Sequence, residues 1–179
     1  MSIELHQLIG LCRFWWAIPI LAALGDGVSP RLHTLKFHLQ DASRDAIKDG
    51  VDHLIGLRLL VPNTGHGHPL RPDFHLTEAG QPLAQMAATL WSTAQHTQAQ
   101  KFARLRWGLP LLRVLQVPKG FGDIKSSLPP ITDRALSLIL KRGQSDHLIG
   151  RSVDITAYPP ATRYAPLDKA APLCEALAA

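Results

Sequence analysis

The stretch "TDRALSLILKR" sets Thr132, Arg134, Ser137, Lys141 and Arg142 among the apolar positions Leu136, Ile139 and Leu140. Hydroxyl and guanidinium groups on a helix can hydrogen-bond the edges of bases, and its cations can meet phosphates. An earlier stretch, "DASRDAIKDGVDHL", offers Ser43, Arg44 and Lys48 in the same way, but interleaves them with Asp41, Asp45, Asp49 and Asp52. Acids on a phosphate-facing surface repel it, unless they lie off the facing side. Gly50 also weakens the interior of that helix. Two Gly/Pro-rich loops add further groups. "GHGHPLRP" carries His66, His68 and Arg71, and "AYPPATRY" carries Tyr158, Arg163 and Tyr164. Loop arginines such as Arg71 and Arg163 suit contact with phosphate or a minor groove.

Other chemistries find little support. There is no Gly-rich phosphate loop, zinc-binding spacing or nucleophile motif, so we expect no enzyme and no cofactor. The His66-x-His68 pair has no carboxylate or cysteine cluster beside it, and a Gly-rich loop tip accounts for it without a metal. The two cysteines, Cys12 and Cys174, cannot make a disulfide framework and fit a reducing compartment, so a cytoplasmic location is expected. Lys and Arg exceed Asp and Glu by 19 to 14, which favours an anionic partner, nucleic acid first. The apolar run "FWWAIPILAAL" is too short to span a bilayer. A near copy in mid-chain, "WGLPLLRVL", argues against a targeting signal, so no membrane partner is expected.

That near copy exposes a repeat. Trp, Pro and Leu coincide in "WAIPILAAL" and "WGLPLLRVL" at an offset of 91, from Trp16 to Trp107. Each proline, Pro19 and Pro110, suits the first turn of a short helix. Inward residues are Ile20, Leu21 and Leu24, then Leu111, Leu112 and Leu115. A second short helix follows, with Leu32, Leu35 and Leu39 or Phe121, Ile124 and Leu128 at helical spacing. Ser43 and Thr132, 89 residues apart, are N-caps for a third helix. Two short apolar runs around each polar loop predict a β-hairpin, and a closing helix ends each half. The pentapeptide "DHLIG" also occurs twice, at Asp52 and Asp146, but its offset of 94 is out of register with the other anchors.

Three helices, a hairpin and a closing helix describe a winged helix-turn-helix. The expected fold is therefore mainly α with small β-hairpins (α+β), in two tandem winged helix-turn-helix domains arranged as a pseudo-dimer. The first spans 1–91, a linker of Gln, Ala and Thr expected to be helical spans 92–103, and the second spans 104–179.

The chain resembles the HxlR family of winged-helix transcriptional regulators. "GFGDIKSSLPPITDRALSLILK" is similar to the family's "RFxELxxxLPxIsxRxLsxxLk" run, and "FHLTEAGQPL" to its "YxLTxxGxxL". "RFWWAIPILAAL" and "RLRWGLPLLRVL" both resemble its "KWxxxIlxxL" helix. The resemblance implies DNA binding by a homodimer, and here a dimer built into one chain, which further dimerisation would enlarge. It places Arg134 at the family's arginine position. In the first half that position holds Asp45, with Arg44 one residue away. Some members keep a redox-sensing cysteine near the position of Cys12. Here Cys12 reads as a small buried hydrophobe beside Leu11 and Trp15, and Cys174 as core.

Two functions follow. One is a transcriptional regulator binding double-stranded DNA through Thr132, Arg134, Ser137, Lys141, Arg142 and Arg163, with Ser43, Arg44, Lys48 and Arg71 from the first half. The other is a tandem winged-helix module for protein contacts that reads no DNA, for which the acidic first helix speaks.

Overall fold

A computed structural model describes residues 3–63, 73–155, 158 and 160–178. It is mixed helical with two small antiparallel hairpins. The chain divides into two compact units, Gly10–Ser92 and Met1–Ile9 with Thr93–Ala179. Arg71, His66 and His68 lie outside the described residues.

An opening helix α1 (Leu5–Leu11) precedes the first repeat. In the Gly10–Ser92 unit, α2 (Ala17–Gly25) is so apolar that every residue from Ala17 to Leu24 is buried. Pro19 occupies its first turn, where its missing N–H costs no helical bond. Helix α3 (Leu32–His38) and helix α4 (Arg44–Gly56) follow, joined by a turn in which the Ala42 N–H donates to the Leu39 carbonyl (3.0 Å). The Ser43 hydroxyl accepts from the Ala46 N–H at 3.1 Å and starts α4. Gly50, a poor helix former, is buried where Ile20 of α2 occupies the space a Cβ would need. Strands β1 (Leu60–Pro62) and β2 (Phe74–Leu76) pair antiparallel, and the Phe74 N–H also donates to the Pro30 carbonyl. Helix α5 (Gly80–His96) closes the repeat.

The linker is helical but not continuous. Helix α5 carries on to His96, and α6 (Gln100–Ala103) starts after a break. At the break Gln98 has a left-handed φ of 53°, and the Thr97 hydroxyl donates back to the Thr93 carbonyl (2.8 Å). Such side-chain back-bonding competes with helix propagation.

The second unit repeats the order. Helix α7 (Gly108–Val114) carries Pro110 in its first turn, and α8 (Phe121–Ser127) and α9 (Asp133–Ser145) are joined by a turn. In that turn the Ile131 N–H donates to the Leu128 carbonyl (2.8 Å), and Pro129-Pro130 is cis. The Thr132 hydroxyl accepts from the Ala135 N–H at 3.2 Å. Strands β3 (Ile149–Asp154) and β4 (Ala161–Pro166) pair from Ile149↔Pro166 to Asp154↔Ala161. Lys119 bridges to Tyr164 on the outer side of β4. A 3-10 turn at Asp168–Ala170 leads into α10 (Ala171–Ala178).

The hydrogen bonds repeat more faithfully than the residues. At the end of α4 the Arg58 N–H donates to Ile55 and the Leu59 N–H to Leu54. At the end of α9 the His147 N–H donates to Gln144 and the Leu148 N–H to Gly143, all 89 residues on. This is a Schellman closure, and the residue at its left-handed position has φ 59° in Arg58 and φ 55° in His147. In that register the two "DHLIG" copies part company. The first lies within α4, while the second starts at the C-cap just past α9 and enters β3.

Cys12 is buried, and burial pushes its thiol from 9.0 up to about 12. Cys174 is also buried and pushed to about 11, by burial first and then by the charge of Glu175. Trp15, expected beside Cys12 in the core, is instead half exposed.

Two expectations test this packing. The space for a Cβ on Gly80 is taken by the backbone carbonyl of Leu59, which cannot move as a side-chain tip can. Gly80→Ala should therefore destabilise by about 1–3 kcal/mol, read from a denaturant midpoint. For Cys12, an unfolded thiol ionises near 9.0 while the folded one holds its proton to about 12. Above the lower value the unfolded state binds fewer protons, so stability falls as pH rises through that window. The stability difference between the wild type and Cys12→Ala should be constant near pH 7 and shrink from pH 9 upward.

Candidate nucleic-acid interface

Helix α9 has two sides with different work. Leu136, Ile139 and Leu140 are buried, each contributing about 1.5–3 kcal/mol. Near the C-terminal end Gly143 brings the helix against Ile149 of β3, whose Cγ1 lies 2.9 Å from the place a Cβ would take. Helix and hairpin are thus packed backbone to side chain. The opposite side exposes Arg134, Ser137, Leu138 and Lys141, at helical spacing along one stripe.

The sequence-predicted residues sort by position and partner. Arg134, Ser137 and Lys141 stand on the exposed stripe and make no ion pair or side-chain hydrogen bond among the described residues. Thr132 is exposed at the helix start, where its hydroxyl is occupied as the N-cap. Arg142 turns aside, its Nε 2.7 Å from Oδ2 of Asp146. Arg163 of β4 lies 3.8 Å from Asp123 in the first turn of α8, with its side chain about 40% exposed. Asp133, beside Arg134, is held by Lys125 of α8 at 2.7 Å, and the helix N-terminus also favours its charge. The acid nearest the stripe is therefore paired away from it.

Sequence reading missed two exposed groups. Leu138 is 60% exposed in the middle of the stripe, although leucine reads by default as core. Arg151 of β3 is exposed, its guanidinium 3.5 Å from the Thr162 hydroxyl across the hairpin. Strand alternation would not have found Arg151, because it puts 151 on the same face as the buried Ile149, and β3 does not alternate beyond that residue.

Helix α4 has the same length and caps with the opposite charge. At the positions matching Arg134, Ser137, Leu138 and Lys141 it carries Asp45, Lys48, Asp49 and Asp52, all exposed. Lys48 is tied to Asp52 at 2.8 Å. Its ammonium pKa is raised by that hydrogen bond first, then by the charge of Asp52, with Asp49 and Asp45 adding to it. Arg44 is exposed without an ion pair among the described residues, and Ser43 is occupied as the cap. Of the two placements that the sequence leaves open for these acids, Asp45, Asp49 and Asp52 take the outward one.

Among the described residues no group of three or more His, Cys, Asp or Glu is placed to hold a metal ion. No helix among them is long and apolar enough to cross a membrane.

The search of curated proteins returned no match. Among solved structures, a chain described as a transcriptional regulator of the MarR family from Enterococcus faecalis V583 shares 26% identity. The likeness covers 50% of this chain and 73% of that one, with a TM-score of 0.37. Residues 104–179, the stretch that holds α9 with its cap, its exposed stripe and its hairpin, match the family model of the HxlR-like helix-turn-helix.

Proposed function

We propose that the chain is a DNA-binding transcription regulator whose two halves are winged helices acting as a built-in dimer, with α9 as the helix that enters the major groove. The observation that carries this is the outward stripe of α9, with Arg134 and Lys141 unpaired among the described residues and no acid between them. An arginine near the N-terminal end of such a helix suits a bidentate bond to guanine. A lysine two turns further on suits a phosphate. Arg151 on the hairpin adds an exposed cation for the flanking backbone, while Arg163 lies on the other face of the hairpin beside Asp123 and would have to leave that carboxylate to meet phosphate.

The first half takes a smaller share. Its outward stripe carries three aspartates against Lys48, so Arg44 and the loop residue Arg71 remain of the cations that the sequence singles out there for phosphate. Linking the halves in one chain would still make any second contact intramolecular, which raises avidity where geometry permits. The acidic stripe of α4 favours a second reading, a module that contacts a basic protein partner through the first half.

The test is titration of the full chain with promoter duplex DNA across a salt series. Arg134→Ala should weaken binding about 10–100-fold, and Lys141→Ala should lower the log–log salt slope by about 0.9. Arg44→Ala should change affinity less than about threefold. Binding untouched by both α9 substitutions would sink the assignment of α9. A stable protein complex lost on Asp45→Lys and Asp49→Lys, with no DNA bound, would establish the second reading in its place.

A further inference from the structure

Leu138 sits on the outward side of α9, one turn after Arg134, one turn before Lys141 and next to Ser137. A single exposed leucine is ordinary on a protein surface, so exposure alone carries no argument. Its place does. The two cations that bracket it are unpaired among the described residues, and the stripe between them holds no acid. Any DNA groove that receives both cations must also receive Leu138, and must strip water from it and from the base edge beneath.

We propose that Leu138 is a specificity-determining residue that packs against the C5 methyl group of a thymine in the major groove. This rests on the reading of α9 as the groove-facing helix. The floor of that groove presents hydrogen-bond donors and acceptors at every base pair, and its distinctive apolar group is the thymine methyl. A leucine pressed against an amino or carbonyl edge leaves that group without a partner, which is costly once water is gone. Against a methyl group both surfaces are apolar and both gain from losing water. The matching residue of α4 is Asp49, which has no such surface, so this reading belongs to the second half alone.

The same methyl is presented by 5-methylcytosine, and the experiment separates the two. The full chain is used to select duplexes from a randomised pool, and each thymine of the tightest duplex is replaced singly by deoxyuridine. The expected result is one position at which removing the methyl weakens wild-type binding about fourfold, the value of one buried methyl. Leu138→Ala should bind that duplex about as weakly and show no change on the deoxyuridine replacement. Placing cytosine at the position should weaken binding, and methylating that cytosine at C5 should recover part of it. Tighter binding of the 5-methylcytosine duplex than of the thymine duplex overturns the assignment of thymine. Selective binding with no methyl-sensitive position, or with full sensitivity kept in Leu138→Ala, overturns the inference while leaving DNA binding by α9 intact. No selective binding by the wild type removes both. Because Leu138 is 60% exposed, its truncation leaves the fold unchanged, and circular dichroism of the variant checks this.

Discussion

Burial of Leu136, Ile139 and Leu140 decides which way the rest of α9 points. A helix turns about 100° per residue, so once one stripe is committed to the interior the opposite stripe has no freedom left. The cap at Thr132 fixes where that rotation starts, and the left-handed residue His147 fixes where it stops. Contact between Gly143 and Ile149 then ties the helix to the hairpin that follows. Arg134, Ser137, Leu138 and Lys141 face outward as a consequence of packing on the other side. The frame positions them without needing any bond to them.

The same frame in the first half carries different cargo. Ser43, Ala42, Ile47 and Leu54 do the work of Thr132, Ile131, Leu136 and Gly143, and Arg58 that of His147. The outward positions are free of this constraint, and there the charges invert. Packing demands therefore preserve hydrogen bonds and apolar positions, while the exposed stripe is open to whatever partner it meets. Shared architecture is a weak guide to shared contacts for this physical reason.

Much of the frame could be read from the chain. Pro19 and Pro110 announced first turns, and Ser43 and Thr132 announced caps, because each of these residues has few alternative roles at such positions. The register of 89 to 91 residues came from the same anchors. What could not be read was orientation about the helix axis at polar positions. Whether Asp45 and Asp49 point outward depends on Gly50 accepting Ile20 against the helix, a contact between residues 30 apart. Leu138 is not legible as a surface residue because a leucine among leucines reads as core, and only the burial of its neighbours shows it to be outside. Arg142 and Arg163 looked as available as Arg134, and the carboxylates of Asp146 and Asp123 that occupy them come from adjoining elements.

The two hydrogen-bond frames keep one spacing from the turn before α4 to the strand after it, and the spacing drifts only outside that span. It is 91 at the prolines, 89 from cap to closure and 90 from Phe74 to Tyr164. Length change has thus settled in the turn before the second helix and in the hairpin loop, where the entropic cost of one more residue is small. One residue inserted within α9 would rotate everything beyond it by about 100° and carry Lys141 off the stripe. Deletions and insertions are therefore tolerable at two kinds of place and ruinous between them, so the chain can lengthen at its loops while α9 keeps a fixed number of residues.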